Sequence, residues 1–134
     1  LRRYSFARLD YENLLKVVPG NFEGQLGLAL LNQKDRRYTE AYNQINRLVE
    51  LFPDSAVAYA ARAGMERERN MYDLAEYDYT EALRRRENTD WRLARADVRI
   101  KLKKRDAAKS DLDQLVRQGV SPVALKEWYR QIKR

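Results

Sequence analysis

The sequence predicts an all-α protein: an αα-superhelix, or solenoid, of helix-turn-helix repeats closed by a C-terminal capping helix. Three observations carry this expectation. Tyr4, Tyr38 and Tyr72 stand 34 residues apart, as do Ala7, Ala41 and Ala75, and Leu14 and Pro19 return as Leu48 and Pro53. A fixed period of this length belongs to stacked units, each too small to bury its apolar face alone. Within each period apolar residues recur at three- and four-residue spacing, as on amphipathic helices. Only five Gly and three Pro interrupt 134 residues, and 44% apolar with 35% charged residues suits one folded helical domain.

The elements follow in chain order. Tyr4 to Val17 reads as a helix with Phe6, Ala7, Leu14, Leu15 and Val18 as its apolar residues, ended by Pro19-Gly20. Residues 1–20 then form the second half of a unit, so the stripe around Ala7 and Tyr11 is expected to face something outside this sequence. The repeat at 21–54 opens on Asn21 as a cap, and its first helix runs to about Gln33 with small Gly24 and Gly27. Each glycine costs a helix about 1 kcal/mol relative to Ala, which predicts close approach of a neighbouring backbone. After a polar turn, Asn32 to Arg37, the helix from Tyr38 to Phe52 carries Ala41, Ile45, Leu48 and Val49. The repeat at 55–87 opens on Asp54 or Ser55, has an alanine-rich first helix, and repeats the pattern from Tyr72 to Arg86 with Ala75, Tyr79 and Ala82.

The repeat at 88–120 is out of register. Ala96 stands 33 after Ala63 and Ala108 stands 33 after Ala75, so one residue is lost between Leu83 and Trp91; the closing proline is lost too, and Arg105 replaces the tyrosine. Gly119 suits a left-handed C-cap, and Ser121-Pro122 starts the capping helix, 121–134, with Leu125, Trp128, Tyr129 and Ile132 on one face. The tyrosines in phase, Tyr4, Tyr38, Tyr72, Tyr11 and Tyr79, are expected in the core. Tyr42, Tyr77 and Trp128 are less constrained and expected to be more exposed.

These residues resemble the tetratricopeptide repeat family over about residues 3 to 120. That family has small residues at the eighth and twentieth positions of a 34-residue unit and a proline near its end. Ala29, Ala63 and Ala96 match the eighth position; Ala7, Ala41, Ala75 and Ala108 match the twentieth; Pro19 and Pro53 match the proline. The fourth position, usually a large aromatic, departs as Gln25 and Arg92, with Tyr59 between them and Trp91 beside the last. The resemblance implies a right-handed stack and a non-catalytic scaffold binding another protein or peptide in a concave groove lined by the first helix of each unit. Transferred by position, the groove residues are Glu23, Leu26, Leu30, Gln33 and Lys34, then Val57, Ala60, Gly64, Arg67 and Glu68, then Asp90, Leu93, Asp97, Ile100 and Lys101. The family's Lys/Asn/Arg clamp for a peptide carboxylate is missing, since Leu26, Leu30, Val57 and Ala61 stand at such positions. A small, apolar floor fits a helical or apolar segment. A surface filled by other helices of a longer protein is the competing expectation.

Net charge is +7, and the whole excess lies between Arg84 and Arg105, which holds ten basic and three acidic residues. Arg92, Arg95, Arg99 and Lys103 share one helical stripe, which raises nucleic-acid or polyanion binding as the alternative function. Against it, Arg62-Ala63 and Arg95-Ala96 occupy equivalent positions, which marks Arg95 as a structural contact between helices.

The chain has no Cys and no His. That removes disulfides, thiolate and imidazole chemistry and the common zinc sites. No phosphate loop, nucleophile elbow or calcium loop is present, and pairs such as Glu66 and Glu68 point to different helix faces. Neither catalysis nor a cofactor or metal is expected. No run is long and apolar enough to span a membrane, and Leu1-Arg2-Arg3-Tyr4 lacks a signal-peptide core. Cytoplasm, periplasm and cell envelope stay open as compartments, as does self-association through the first helix.

Overall fold

The computed structural model describes residues 2–133. Leu1 and Arg134, the outer ends of the first and last expected units, lie outside the described residues. Among the described residues eight α-helices follow one another: α1 Arg2–Val17, α2 Phe22–Lys34, α3 Tyr38–Leu51, α4 Ala56–Glu68, α5 Tyr72–Arg85, α6 Thr89–Lys101, α7 Arg105–Arg117 and α8 Lys126–Lys133. A 3₁₀ turn, Pro122–Leu125, precedes α8. The described residues contain no strand. Each helix packs on the next in sequence, with α2–α4 and α6–α8 contacts added, and the helices wind as a right-handed solenoid.

The periodic alanines set the spacing of this stack. Ala29, Ala63 and Ala96 on the first helices and Ala41, Ala75 and Ala108 on the second are all 0% exposed. Small side chains let neighbouring helices pack closely, and around these points larger groups fill the seams. Ile45, Leu48, Val49 and Met65 do so in one cluster, Tyr79 and Val98 in a second, and Leu112, Leu115 and Leu125 in a third. Phe22 and Phe52 close the first cluster edge to face, with ring centroids 5.1 Å apart.

Helix starts on one side of the stack are capped by side chains: Asn21 accepts from the Gly24 amide, Ser55 from Ala58, Asn88 from Trp91. On the other side, α2, α4 and α6 each end in a left-handed residue, Arg36 (φ 61°), Asn70 (φ 63°) and Lys103 (φ 63°). The next amide then bonds back five residues, Arg37 to Asn32, Met71 to Glu66 and Lys104 to Arg99, each at 2.8 Å. Gly119 (φ 102°) does the same after α7, where Val120 bonds to Leu115 at 3.0 Å. The three residues 86–88 join α5 to α6, where four residues, 52–55, join α3 to α4.

Several expectations are corrected. Asn32 and Gln33 are not in the turn; they are buried within α2. The glycines of α2 accommodate side chains, not a backbone: a methyl group on Gly27 would overlap the Tyr11 ring, and one on Gly24 would meet Leu14 at 3.0 Å. Tyr11 thus packs on α2 and Arg8 reaches Asn32 and Asp35, so this stripe faces the chain itself. Of the in-phase tyrosines only Tyr79 is buried; Tyr4, Tyr11, Tyr38 and Tyr72 are half-buried, because a phenol must keep a polar partner. Arg69 stacks on Tyr38 at 4.9 Å, and the Tyr72 hydroxyl donates to Asn70 at 2.8 Å. Tyr77 is exposed, but Tyr42 and Trp128 are half-buried, the first against the cluster under α3 and the second against the capping cluster.

Candidate functional site

The first helices of successive units, α2, α4 and α6, line a row of recesses whose chemistry changes along those helices. Near their N-terminal ends Leu26, Leu30, Val57, Ala60, Ala61 and Trp91 surround one recess of about 240 Å³. Leu26 and Leu30 of α2, Val57 of α4 and the indole of α6 supply its bulk, and the alanines of α4 its small residues. The small residues keep it open, since any larger side chain at 60 or 61 would fill it. Arg86 lies over the indole face at 4.9 Å and covers part of Trp91.

Farther along the same helices charged side chains join a lining that stays mainly apolar in the next recess and becomes mixed in the one beyond it. Leu30, Gln33, Lys34, Ala61, Gly64, Met65 and Glu68 line the next recess, and Gly64, Arg67, Glu68, Tyr72 and Asp97 the one beyond it. Gln33 donates to Glu68 at 2.8 Å, tying α2 to α4. Arg67 pairs with Asp97 at 2.9 Å, tying α4 to α6, and Lys101 stands 3.7 Å from Asp97. Lys34 is exposed with no ion-pair partner among the described residues. Burial lowers the Arg67 charge preference, but the Asp97 carboxylate outweighs it and holds the guanidinium charged.

The structure thus brings together Leu26, Leu30, Gln33, Lys34, Val57, Ala60, Gly64, Arg67, Glu68 and Asp97 from the groove positions inferred above. Glu23, Asp90, Ile100 and Lys101 line none of these recesses. Leu93 turns instead to the cluster of Ala96, Leu112, Leu115 and Leu125, against which Trp128 and Ile132 also pack. The capping helix contacts α6 as well as α7. Ala61, named above only as a clamp position, joins the lining, and Met65, Tyr72 and Trp91 were not among the transferred positions. Trp91 carried a signal, being the aromatic next to the departing fourth position.

The basic stripe is not displayed to solvent as a stripe. Arg92, Arg95 and Arg99 side chains are 16%, 11% and 17% exposed and converge on one buried carboxylate, Asp111. Arg95 reaches it at 2.6 and 3.0 Å, Arg92 and Arg99 each at 2.9 Å. Two further carboxylates complete the cluster: Glu87 takes Arg92, and Glu76 takes Arg99 and Lys104. Hydrogen bonding from Arg92 holds Glu87 below the usual carboxylate range. Arg62 with Asp78, both contacts 2.8 Å, is the same pair one repeat earlier. Lys103 occupies the left-handed turn after α6 and is exposed.

A second polar cluster lies beneath the groove. Glu66 on α4 is buried; it accepts from the Tyr42 hydroxyl, while its other oxygen has no hydrogen-bond partner. Burial, and then the Asp78 carboxylate, push its pKa up to about 8. Tyr42 titrates far above its ordinary range for the same reasons, burial first and the Glu66 carboxylate second. The described residues hold no group of three or more His, Cys, Asp or Glu arranged to bind a metal, and none of the described helices is long and apolar enough to cross a membrane.

These features define a helical-repeat solenoid with a graded concave face. Its fold is the tetratricopeptide repeat fold, as comparison with solved structures shows. A tetratricopeptide repeat protein from Parabacteroides merdae is similar with a TM-score of 0.79, at 20% identity, over 100% of this chain and 53% of its own. A structure of MamA gives 0.72 at 20% identity over 83% of this chain and 61% of its own. The type III secretion chaperone SycD of Yersinia enterocolitica, in complex with a peptide of the translocator YopD, gives 0.68 at 16% identity over 83% and 86%. The chain spans less than two thirds of the length of the first two. No protein-family model matches the sequence, and no curated protein does.

Proposed function

We propose that this chain is an interaction scaffold that holds a helical or apolar segment of another protein on its concave side, acting by binding and not by catalysis. The observation that carries it is the recess walled by Leu26, Leu30, Val57 and Trp91 over an alanine floor. That is a socket for one bulky apolar side chain, flanked by a polar shelf that suits the segment's other face. The peptide-bound chaperone with the same fold supports a segment as the occupant. Polyanion binding has weaker support, since the stripe's arginines are engaged by Asp111, Glu87 and Glu76.

Two tryptophans are present, so Trp128→Phe leaves Trp91 as the only indole. Titrating that variant with a labelled leucine-rich amphipathic peptide should shift Trp91 emission and saturate. Leu26 also packs on the first core cluster, whereas Leu30 is 39% exposed. Leu30→Glu with Val57→Glu should therefore abolish the shift while the helical circular-dichroism signal is kept. Unchanged affinity in that folded variant overturns the groove assignment.

A further inference from the structure

A separate surface lies at the C-terminal end of the stack, outside the concave side. Ser121 accepts a hydrogen bond from the Val123 amide and starts the 3₁₀ turn, which drives Leu125 into the core and leaves Val123 79% exposed. α8 then packs inward through Trp128, Tyr129 and Ile132. Its other side carries Lys126, Arg130 and Lys133, spaced by four and three residues and so in one row along the helix. Pro122, Val123, Tyr129 and the aliphatic stems of that row enclose a depression of about 430 Å³.

The charge of this surface is one-sided. Glu127 is the acid on the row's flank, and it pairs with Arg130 at 2.9 Å. Asp113, the other nearby acid, is occupied by Lys109 at 2.9 Å and by the Tyr129 hydroxyl at 2.7 Å. Lys126 and Lys133 are exposed and have no ion-pair partner among the described residues. Tyr129 is anchored by its bond to Asp113, so the ring edge it offers is held in place.

We propose that this depression docks an acidic amphipathic helix of a partner protein, with its apolar residues on Pro122 and Val123 and its carboxylates along Lys126, Arg130 and Lys133. The cationic row spans roughly 10 Å at the helix rise, and a helix bearing Glu at the same four-then-three spacing runs alongside it in register. The apolar floor favours a protein segment over a nucleic acid, whose backbone would leave Val123 uncovered. A rim of cations around an apolar floor also makes association fast and salt-sensitive.

The test uses the whole chain and a fluorescein-labelled amphipathic peptide of Leu and Glu, with a Leu and Lys counterpart as control. Anisotropy reports affinity, and methyl resonances report location. At this surface the Glu peptide should bind, shift the Val123 methyls and weaken with salt, and the Lys peptide should leave those methyls unshifted. Lys126→Glu with Lys133→Glu should weaken binding by at least about tenfold, as charge reversal at a binding rim does. Val123→Asp, at an exposed position, should do the same without unfolding. Leu30→Glu with Val57→Glu should leave this binding intact, which separates it from the concave side. Equal binding by the charge-reversed chain, or methyl shifts confined to α2 and α4, overturns the proposal. So does preferential binding of single-stranded DNA or of phosphatidylserine vesicles, or dimerisation of the chain that Val123→Asp abolishes.

Discussion

Single residues in this solenoid do one of two jobs, and Ala63 and Glu66 on the same helix show both. Ala63 is fully buried and packs in the cluster of Ala75, Tyr79 and Val98. Glu66 is a carboxyl group taken out of water with one oxygen unsatisfied. The groups that face it are Tyr42 from α3, Arg62 from its own helix, and Asp78 and Tyr79 from α5. Its folded pKa is raised from 4.5 to about 8, so the folded chain keeps a proton that the unfolded chain releases. Stability linked to Glu66 is therefore present below the unfolded pKa and is lost as pH rises through the folded one. Glu66→Gln keeps the shape, still accepts from Tyr42 and cannot ionise. Its melting temperature should exceed that of the parent at pH 8 by clearly more than at pH 5; an equal gap at both pH values would show that Glu66 is not the titrating group.

At the scale of elements, two kinds of helix junction alternate. Between units the chain enters α2, α4 and α6 through Asn21, Ser55 and Asn88, each satisfying an orphan amide. Within units it turns through a left-handed residue whose neighbour bonds back across the helix end. The junction before α6 departs from the others between units, being three residues long and without proline. Asn88 also sits next to the Arg86–Trp91 stack and the Glu87–Arg92 pair, so its cap orients both. Asn88→Ala should cost about 1 kcal/mol, measured by urea unfolding with an unchanged m-value. A loss below a few tenths would mean that the ion pairs alone set the start of α6.

The whole molecule is close to one-dimensional, and this governs what happens at its ends. α7 and the capping helix share one cluster, Leu112, Leu115 and Leu125, while Ile45, Leu48 and Tyr79 belong to clusters nearer the N-terminus. Nearest-neighbour stacking means that damage at one end should stay local. A chain truncated after Val120 should lose hydrogen-exchange protection in α6 and α7 first and keep it in α3 to α5. Uniform loss along all helices would instead show a single cooperative unit. The same truncation removes the Lys126–Lys133 row but leaves Leu30, Val57 and Trp91, so the two proposed surfaces separate physically.

The 34-residue recurrence of Tyr38, Ala41 and Leu48, by itself, determined that this chain is a stack of helix pairs, because the small and large residues of a solenoid must repeat at the spacing of its units. It also showed the register slip before Trp91 and the equivalence of Arg62 and Arg95. Leu30, Ala60, Gly64 and Arg67 were placed by the resemblance to tetratricopeptide repeats, and they line the recesses along α2, α4 and α6. The rest depended on which helices meet. Arg92, Arg95 and Arg99 read as a charged stripe until α7 brings Asp111 beneath them, and Leu93 read as groove until α8 packs over its helix. Glu66 gave no sign of burial in its local sequence. Apart from Arg62–Asp78 and its counterpart Arg95–Asp111, both 16 residues apart, charge partners lie on other helices at unequal sequence separations, so periodicity can place the backbone while tertiary packing decides which other charges are neutralised and which surface remains to bind.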